Sequence, residues 1–123
     1  MLNMKELKEN PLASKSYDFA LKVVFIYQEL VGKKKEYVLS KQLLRAGTAI
    51  GANVAEANGA ISKADFSSKI SISYKESLET KYWLSLLRDA NYIEASKANT
   101  YIEDADELSK IMFSILKKTR IGK

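Results

Sequence analysis

Apolar residues recur at helical spacing in the middle of the chain, in the stretch SKQLLRAGTAIGANVAEAN from Ser40 to Asn58. Small residues stand four apart on a neighbouring face, at Gly47, Gly51 and Ala55, and small side chains let another backbone approach closely. Because a glycine inside a helix costs about 1 kcal/mol relative to alanine, we expect close packing to compensate. The stretch therefore predicts a central helix contacted on more than one side, with an Ala/Gly-rich helix lacking a special neighbour as the alternative. Its seam, in steps of three and four, is Leu43, Ala46, Ile50, Asn53 and Ala57.

The alternation of apolar and polar positions predicts three further helices. Breakers are scarce, with one proline and five glycines, which favours long helices over a many-turned β fold. The connections are short, so sequential helices should pack antiparallel, which predicts an all-α, up-down-up-down four-helix bundle. A chain of 123 residues suits one domain with a single core. We expect an N-terminal tail over residues 1–13 and the bundle over 14–120, with helices at 15–31, 40–58, 62–90 and 96–118.

Each predicted helix has a serine placed to cap its N-terminus. The strongest signal is at the third helix, where Ser62 and Asp65 have the spacing of a capping box. Gly32 and Gly59 are placed to end the first and second helices. The predicted caps, from the first helix to the fourth, are Ser14 or Ser16, Ser40, Ser62 and Ser96.

The predicted third helix carries more apolar surface than the core of one bundle needs. Tyr74, Leu78 and Tyr82 form a stripe apart from the core positions, and Trp83 lies to the side. A helix in a four-helix monomer buries one stripe, so we interpret the surplus as a surface through which copies of the chain associate. The alternative is that single exposed aromatic residues are ordinary. The core stripe of this helix is Phe66, Ile70, Ser73, Ser77, Leu84 and Leu87.

The composition excludes several kinds of chemistry. Cysteine and histidine are absent, which rules out disulfides, thiolate or imidazole metal sites and Cys/His nucleophile–base pairs. Carboxylates alone could bind Mg²⁺, but lysines and Arg88 surround Glu56, Glu76 and Glu79, with no accompanying nucleophile. We therefore expect no catalytic activity, no metal and no cofactor. The chain shows no signal peptide and no run of about 20 apolar residues, so we expect no membrane partner and a cytoplasmic location.

The net charge of +5 makes polyanions plausible partners without establishing one. One basic cluster follows Gly32 in a predicted loop, and another closes the fourth helix. A solvated loop is the alternative for the first cluster, and complementing the helix dipole is the alternative for the second. The candidate phosphate contacts are Lys33, Lys34, Lys35, Lys117, Lys118 and Arg120.

Several polar residues fall inside the predicted helices. Asn53 lies on the seam of the second helix, where a buried amide must be hydrogen-bonded and would fix the register. Arg45 lies off that seam, and we expect it to pair with Glu76 or Glu79 across helices. Glu56 is a further candidate for such an ion pair. Half-buried at an interface, a pair of this kind would set the orientation of a partner more than its affinity.

Five short motifs stand in a characteristic order: Gln42 with Arg45-Ala46, Ile50-x-x-Asn53-Val54-x-Glu56, Ser62-Lys63-x-Asp65-Phe66, Glu76-Ser77-x-Glu79-Thr80, and Tyr82-Trp83. Together they resemble the bacterial four helix bundle family, also called the 23S rRNA intervening-sequence or S23 proteins. The resemblance runs from about Lys15 to the C-terminal helix. This chain has Leu44 where the family commonly has an arginine, and Ala57 where it often has a glycine. The missing arginine weakens any nucleic-acid inference taken from the family.

The resemblance implies a four-helix bundle that assembles as a ring, a homopentamer. Some members are encoded within insertions in 23S rRNA genes. A related branch, the accessory variability determinant proteins of diversity-generating retroelements, forms a pentameric barrel with a basic surface that binds nucleic acid and reverse transcriptase. We therefore predict a non-enzymatic homo-oligomer that binds structured RNA or DNA, with a protein–protein interaction scaffold as the alternative. The predicted packing or interface residues are Gly47, Gly51, Asn53, Ala55, Tyr74, Tyr82 and Trp83.

Overall fold

The computed structural model describes residues 11–121, and the side chains of residues 11–119. Within that range the chain forms helices and turns and no β-strand, which confirms the prediction of an all-α four-helix bundle. The first ten residues of the predicted tail lie outside the described part. The α-helices are α1 (Leu12–Gly32), α2 (Leu39–Asn58), α3 (Lys63–Asp89) and α4 (Ala95–Leu116), and a π-helical turn (Lys117–Ile121) follows α4.

The core is a single apolar cluster to which all four helices contribute. On α2 the apolar seam residues Leu43, Ala46, Ile50 and Ala57 are fully buried, whereas Asn53 is half-buried. The whole core stripe expected on α3 is buried, including two serines that the pattern placed among apolar residues. The core positions of α1 are Leu12, Ser16, Phe19, Val23, Ile26 and Leu30, and those of α4 include Ala98, Ala105, Leu108 and Met112.

Contacts between α2 and α3 run in opposite residue order along the two helices. Arg45 near the start of α2 contacts Glu76, at 3.3 Å, while Glu56 near its end contacts Lys69, at 2.8 Å. Rising numbers on α2 thus meet falling numbers on α3, so the two helices point in opposite directions.

Ion pairs join α1 to α4 in the same reversed order. The carboxylate and ammonium groups of each pair lie 3.0 Å apart. The three α1 residues of these pairs lie on the side of the helix next to α4. The pairs are Lys15–Glu107, Lys22–Asp104 and Glu29–Lys97.

Two glycines of α2 face α1 at close range. A Cβ atom built on Gly47 would lie 2.7 Å from Cγ2 of Val23, and one on Gly51 would lie 3.1 Å from the backbone oxygen of Ser16. Both glycines therefore serve packing within one bundle. Ala55, the third small residue of that row, is exposed.

The N-terminal caps differ from expectation at three helices. Ser62 does cap α3, since its hydroxyl accepts a hydrogen bond from the N–H of Asp65 at 3.0 Å. The prediction of Ser40 was wrong: it is buried in the first turn of α2, which begins after Val38. The prediction for α1, Ser14 or Ser16, was also wrong, because that helix begins directly after Pro11. The fixed φ angle of a proline suits the start of a helix.

Glutamates replace the expected serines at α2 and α4. The carboxylate of Glu36, in the loop before α2, accepts hydrogen bonds from the N–H groups of Val38, Leu39 and Ser40. At α4 the carboxylate of Glu94 accepts from the N–H of Ser96, so the predicted cap is a partner of the actual one. Each carboxylate also lies at the N-terminus of its helix, where the positive end of the helix dipole stabilises a negative charge.

Candidate interaction surfaces

Arg45, Glu76, Glu79 and Trp83 form one polar network on the outside of α2 and α3. The guanidinium of Arg45 contacts Glu76 at 3.3 Å and also donates to the carboxylate of Glu79. The indole N–H of Trp83 donates to Glu79 as well, at 3.0 Å. The structure thus brings together three charged residues that the sequence singled out, and it half-buries Trp83 beside them.

Asn53 and Glu56 stand apart from that network. The side-chain amide of Asn53 donates to the backbone oxygen of Ala49 in its own helix, at 2.9 Å, and Glu56 pairs with Lys69. Glu76 and Glu79 meet at Arg45, whereas Glu56 lies elsewhere, so the three glutamates do not form one cluster. Across residues 11–121 no group of three or more acidic, histidine or cysteine side chains could hold a metal ion.

The candidate phosphate contacts fall into two clusters at opposite ends of the bundle. The first lysine cluster, Lys33, Lys34 and Lys35, lies in the loop after α1, and the second, Lys117 and Lys118, lies just after α4. Because Glu29 bridges the α1 end to Lys97 at the start of α4, the length of α4 separates the two clusters. The 20 residues from Lys97 to Lys117 correspond to roughly 30 Å at 1.5 Å per residue. The side chain of Arg120 lies outside the described part.

Most carboxylates of the described chain are already paired, whereas the cluster lysines are largely not. Lys33 lies 3.9 Å from Glu29. Lys34 and Lys35, like Lys117 and Lys118, form no ion pair with the described residues. Their charge is available to an external anion.

The outward side of α1 is apolar, which the sequence pattern did not reveal. Tyr17 and Phe25 are 68% and 58% exposed, and Leu21 between them is also exposed. The three recur every four residues, so they lie on one side of the helix. We call this surface the α1 face. These positions lie opposite the core positions Phe19, Val23 and Ile26, and the sequence pattern shows two apolar sides without showing which of them meets the core.

The outward side of α3 carries a second exposed apolar surface. Ile72, Tyr82 and Leu86 are exposed, Tyr82 by 59%, and the rings of Tyr82 and Trp83 meet edge to face at 5.0 Å. We call Ile72, Tyr82 and Leu86 the α3 face. The predicted stripe of Tyr74, Leu78 and Tyr82 is divided: Tyr82 belongs to the α3 face, whereas Tyr74 is half-buried and Leu78 is exposed on the side towards α4.

The two faces lie on opposite sides of the bundle. Helices α1 and α3 each pack against α2 and α4 and make few contacts with one another, so they are diagonal. The exposed positions of α2 and α4 are mostly polar or small. On α2 they include Lys41, Gln42 and Ala52, and on α4 they include Glu103, Glu107 and Lys110.

A groove of about 610 Å³ runs between α3 and α4, and we call it the α3–α4 groove. Its apolar wall is formed by Tyr74, Leu78 and Phe113, with the rings of Tyr74 and Phe113 5.9 Å apart and tilted by 38°. Leu78 and Phe113 are exposed in it. The groove adjoins the α3 face, since Leu78 and Tyr82 are one helical turn apart, and it opens on the α4 side of the helix.

Lysines line the polar part of the α3–α4 groove. Asp106 lies between Lys81 and Lys110, at 3.0 Å and 3.1 Å, and hydrogen bonds from these two ammonium groups hold the pKa of its carboxyl below the ordinary value. The Nζ atom of Lys117 lies 5.9 Å from the centre of the Phe113 ring, and Lys118 completes the lining. Four lysines and one aspartate thus give the groove a net positive charge.

None of the helices between residues 11 and 121 combines the length and the apolar character needed to cross a membrane. The fold defines an all-α four-helix bundle with two exposed apolar faces and two lysine clusters.

Within that class, residues 8–114 match the family model of the 23S rRNA-intervening sequence protein, and the chain belongs to that family. A crystal structure at 1.70 Å of a protein with unknown function from the S23 ribosomal protein family of Bacteroides thetaiotaomicron is similar, with 45% identity and a TM-score of 0.85. The similarity covers 86% of this chain and 98% of the other. Both findings confirm the resemblance seen in the sequence. No curated protein matches this chain.

Proposed function

We propose that this protein is a non-enzymatic, cytoplasmic homo-oligomer that binds structured RNA through its lysine clusters. The observation that carries the proposal is that the apolar faces and the lysine clusters occupy different parts of the bundle. The apolar faces lie along the sides of the bundle, on α1 and α3, whereas the unpaired lysines lie at its ends. Copies can therefore associate through their sides and leave both clusters open to an anion.

The two apolar faces support a head-to-tail assembly. An interface in which one face of a copy meets a different face of the next forms a ring when the rotation closes. The α1 face and the α3 face are different surfaces of the chain, which is what a head-to-tail interface needs. The family resemblance favours five copies in the ring. A mass by light scattering of several times 13.8 kDa is expected, and a monomer would contradict the proposal.

Repetition of the clusters around a ring would strengthen phosphate binding. Each copy contributes both clusters, and neutralising many phosphates releases counterions, so affinity should fall steeply as salt rises. The expected contacts are mostly to the backbone of the nucleic acid, because lysine acts on phosphate as a point charge.

The test is a gel shift with a structured RNA at two salt concentrations. The double variants Lys34→Gln/Lys35→Gln and Lys117→Gln/Lys118→Gln should each weaken binding and reduce its salt dependence. The matched control, Lys15→Gln/Lys22→Gln, removes the same charge from lysines already paired along α1 and α4, and should have a much smaller effect. Absence of a shift for the unaltered protein at low salt would rule out RNA binding.

A protein-docking scaffold is the competing function. The observation that favours it is the exposure of apolar residues outside both faces, at Tyr37, Val38 and Ile61, with Ile61 95% exposed. A specific protein partner retained after nuclease treatment, combined with no RNA shift, would favour the scaffold over the RNA-binding oligomer.

A further inference from the structure

We propose that the α3–α4 groove holds an unpaired nucleobase of the bound RNA, stacked on Phe113, with the adjoining phosphates on the lysines of the groove. This inference rests on the proposed RNA-binding function and assigns a particular site to it.

The apolar wall of the groove offers an exposed aromatic surface. Phe113 is 44% exposed, although its ring lies beside the ring of Tyr74. Leu78 is also exposed in this groove of about 610 Å³. A flat base stacks on such a ring regardless of its identity, because every base has a π-face.

The charges of the groove match a phosphate backbone. Lys81 and Lys110 share the single carboxylate of Asp106, so their combined charge is only partly compensated. Lys117 stands over the Phe113 ring at 5.9 Å, and Lys118 has no carboxylate partner among the described residues. A base stacked on Phe113 would therefore bring its own phosphates towards ammonium groups.

The length of the groove also suits a short single strand. Asp106 and Lys118 are twelve positions apart along the chain, which corresponds to roughly 18 Å of helix. That length accommodates a few nucleotides, since stacked nucleotides rise about 3.4 Å each along a strand. Bases inside a duplex are stacked on both sides and cannot reach Phe113, so the groove should recognise loops, bulges or ends.

An acidic peptide is the competing occupant of a positive, apolar groove. Lysine pairs with carboxylates and phosphates alike, so the lysines that line the groove within the described residues attract either anion. The feature that favours RNA is the exposed ring of Phe113, because a base offers a flat π-face that stacks on it.

The test compares an unpaired RNA oligonucleotide with a blunt RNA duplex, by fluorescence anisotropy with the full-length protein. Phe113→Leu removes the ring and keeps an apolar side chain, so affinity for the single strand should fall about tenfold while duplex affinity changes by less than about twofold. Phe113→Tyr keeps an aromatic face and should retain single-strand affinity. Tyr92→Leu is the matched control, because Tyr92 is also an exposed aromatic residue but lies in the turn between α3 and α4, outside the groove and both apolar faces, and it should change neither affinity.

The outcomes separate this site from the wider function. If the unaltered protein binds RNA and Phe113→Leu binds single strands equally well, the stacking site is excluded while RNA binding stands. If the unaltered protein binds neither RNA, the proposed function fails with it. An acidic peptide that occupies the groove, with no competition from the single strand, would also overturn the assignment. A urea midpoint for Phe113→Leu close to that of the unaltered protein shows that a loss of affinity is not a loss of fold.

Discussion

Gly51 marks a point where two backbones approach within van der Waals contact. A Cβ atom there would meet the carbonyl oxygen of Ser16 at 3.1 Å, and a backbone atom cannot rotate aside. We expect Gly51→Leu to lower the free energy of unfolding by about 1–3 kcal/mol or more, because overpacking forces the helices apart. Urea unfolding measures the change.

Gly32 supplies the control for that substitution. It is exposed at the end of α1, and no atom lies within 4 Å of a Cβ placed on it. Gly32→Leu should therefore leave the urea midpoint nearly unchanged. Equal stability of the Gly51 and Gly32 variants would show that α1 and α2 are not held closely together at Gly51.

Sequence reasoning predicted contacts better when both residue types allowed few structural roles. Arg45 and its carboxylate partners on α3 could be paired in advance, because opposite charges lay at matching heights on adjacent helices. Ser40 could not be placed, since serine serves equally as a cap or as a small buried residue. Here its hydroxyl donates to the backbone oxygen of Glu36 at 2.7 Å, while the carboxylate of Glu36 does the capping.

The start of α2 depends on one buried carboxylate. Glu36 is 8% exposed, and three backbone N–H groups donate to it. Burial alone would raise its pKa, but these hydrogen bonds outweigh burial and hold the pKa below the ordinary value of 4.5. Glu36→Gln removes the charge and one of the two acceptor oxygens, so it should lower the free energy of unfolding at pH 7 by about 1 kcal/mol, as expected for a weakened cap.

The pH dependence of that difference has a definite sign. A carboxyl whose pKa is lower in the folded state stabilises the fold fully above its unfolded pKa, and this contribution is lost as the pH falls through the folded pKa. The stability gap between the unaltered protein and Glu36→Gln should therefore be constant from pH 7 to about pH 5 and narrow below the ordinary glutamate pKa of 4.5. Urea unfolding at each pH checks this, with the exposed Glu103→Gln as control. A gap independent of pH would show that the charge of Glu36 contributes nothing.

The existence of all four helices followed from apolar spacing, but the exposure of their sides did not. Tyr17 and Leu21 illustrate this on α1, because a helix that is apolar on most sides does not show which side meets the core. In the structure Lys15, Lys22 and Glu29 pair with α4, and the side of α1 that faces away from the core is left apolar and exposed.

The four helices cover one core, and the whole molecule still exposes two apolar faces, on α1 and on α3. If one face joins the other in a head-to-tail interface, damage to either face must stop growth of the assembly. Phe25→Glu places a charge on the α1 face, and Tyr82→Glu places one on the α3 face; both side chains are more than half exposed. Each variant should remain helical by circular dichroism and should be a monomer by light scattering.

Mixing the two variants distinguishes the kind of interface. Phe25→Glu keeps an intact α3 face and Tyr82→Glu keeps an intact α1 face, so an equimolar mixture should form one interface and give a heterodimer of twice the 13.8 kDa chain mass. Faces that each bind their own kind would behave differently, because either variant alone would already dimerise through its undamaged face. A mixture that stays monomeric while the unaltered protein assembles would place the interface elsewhere on the bundle.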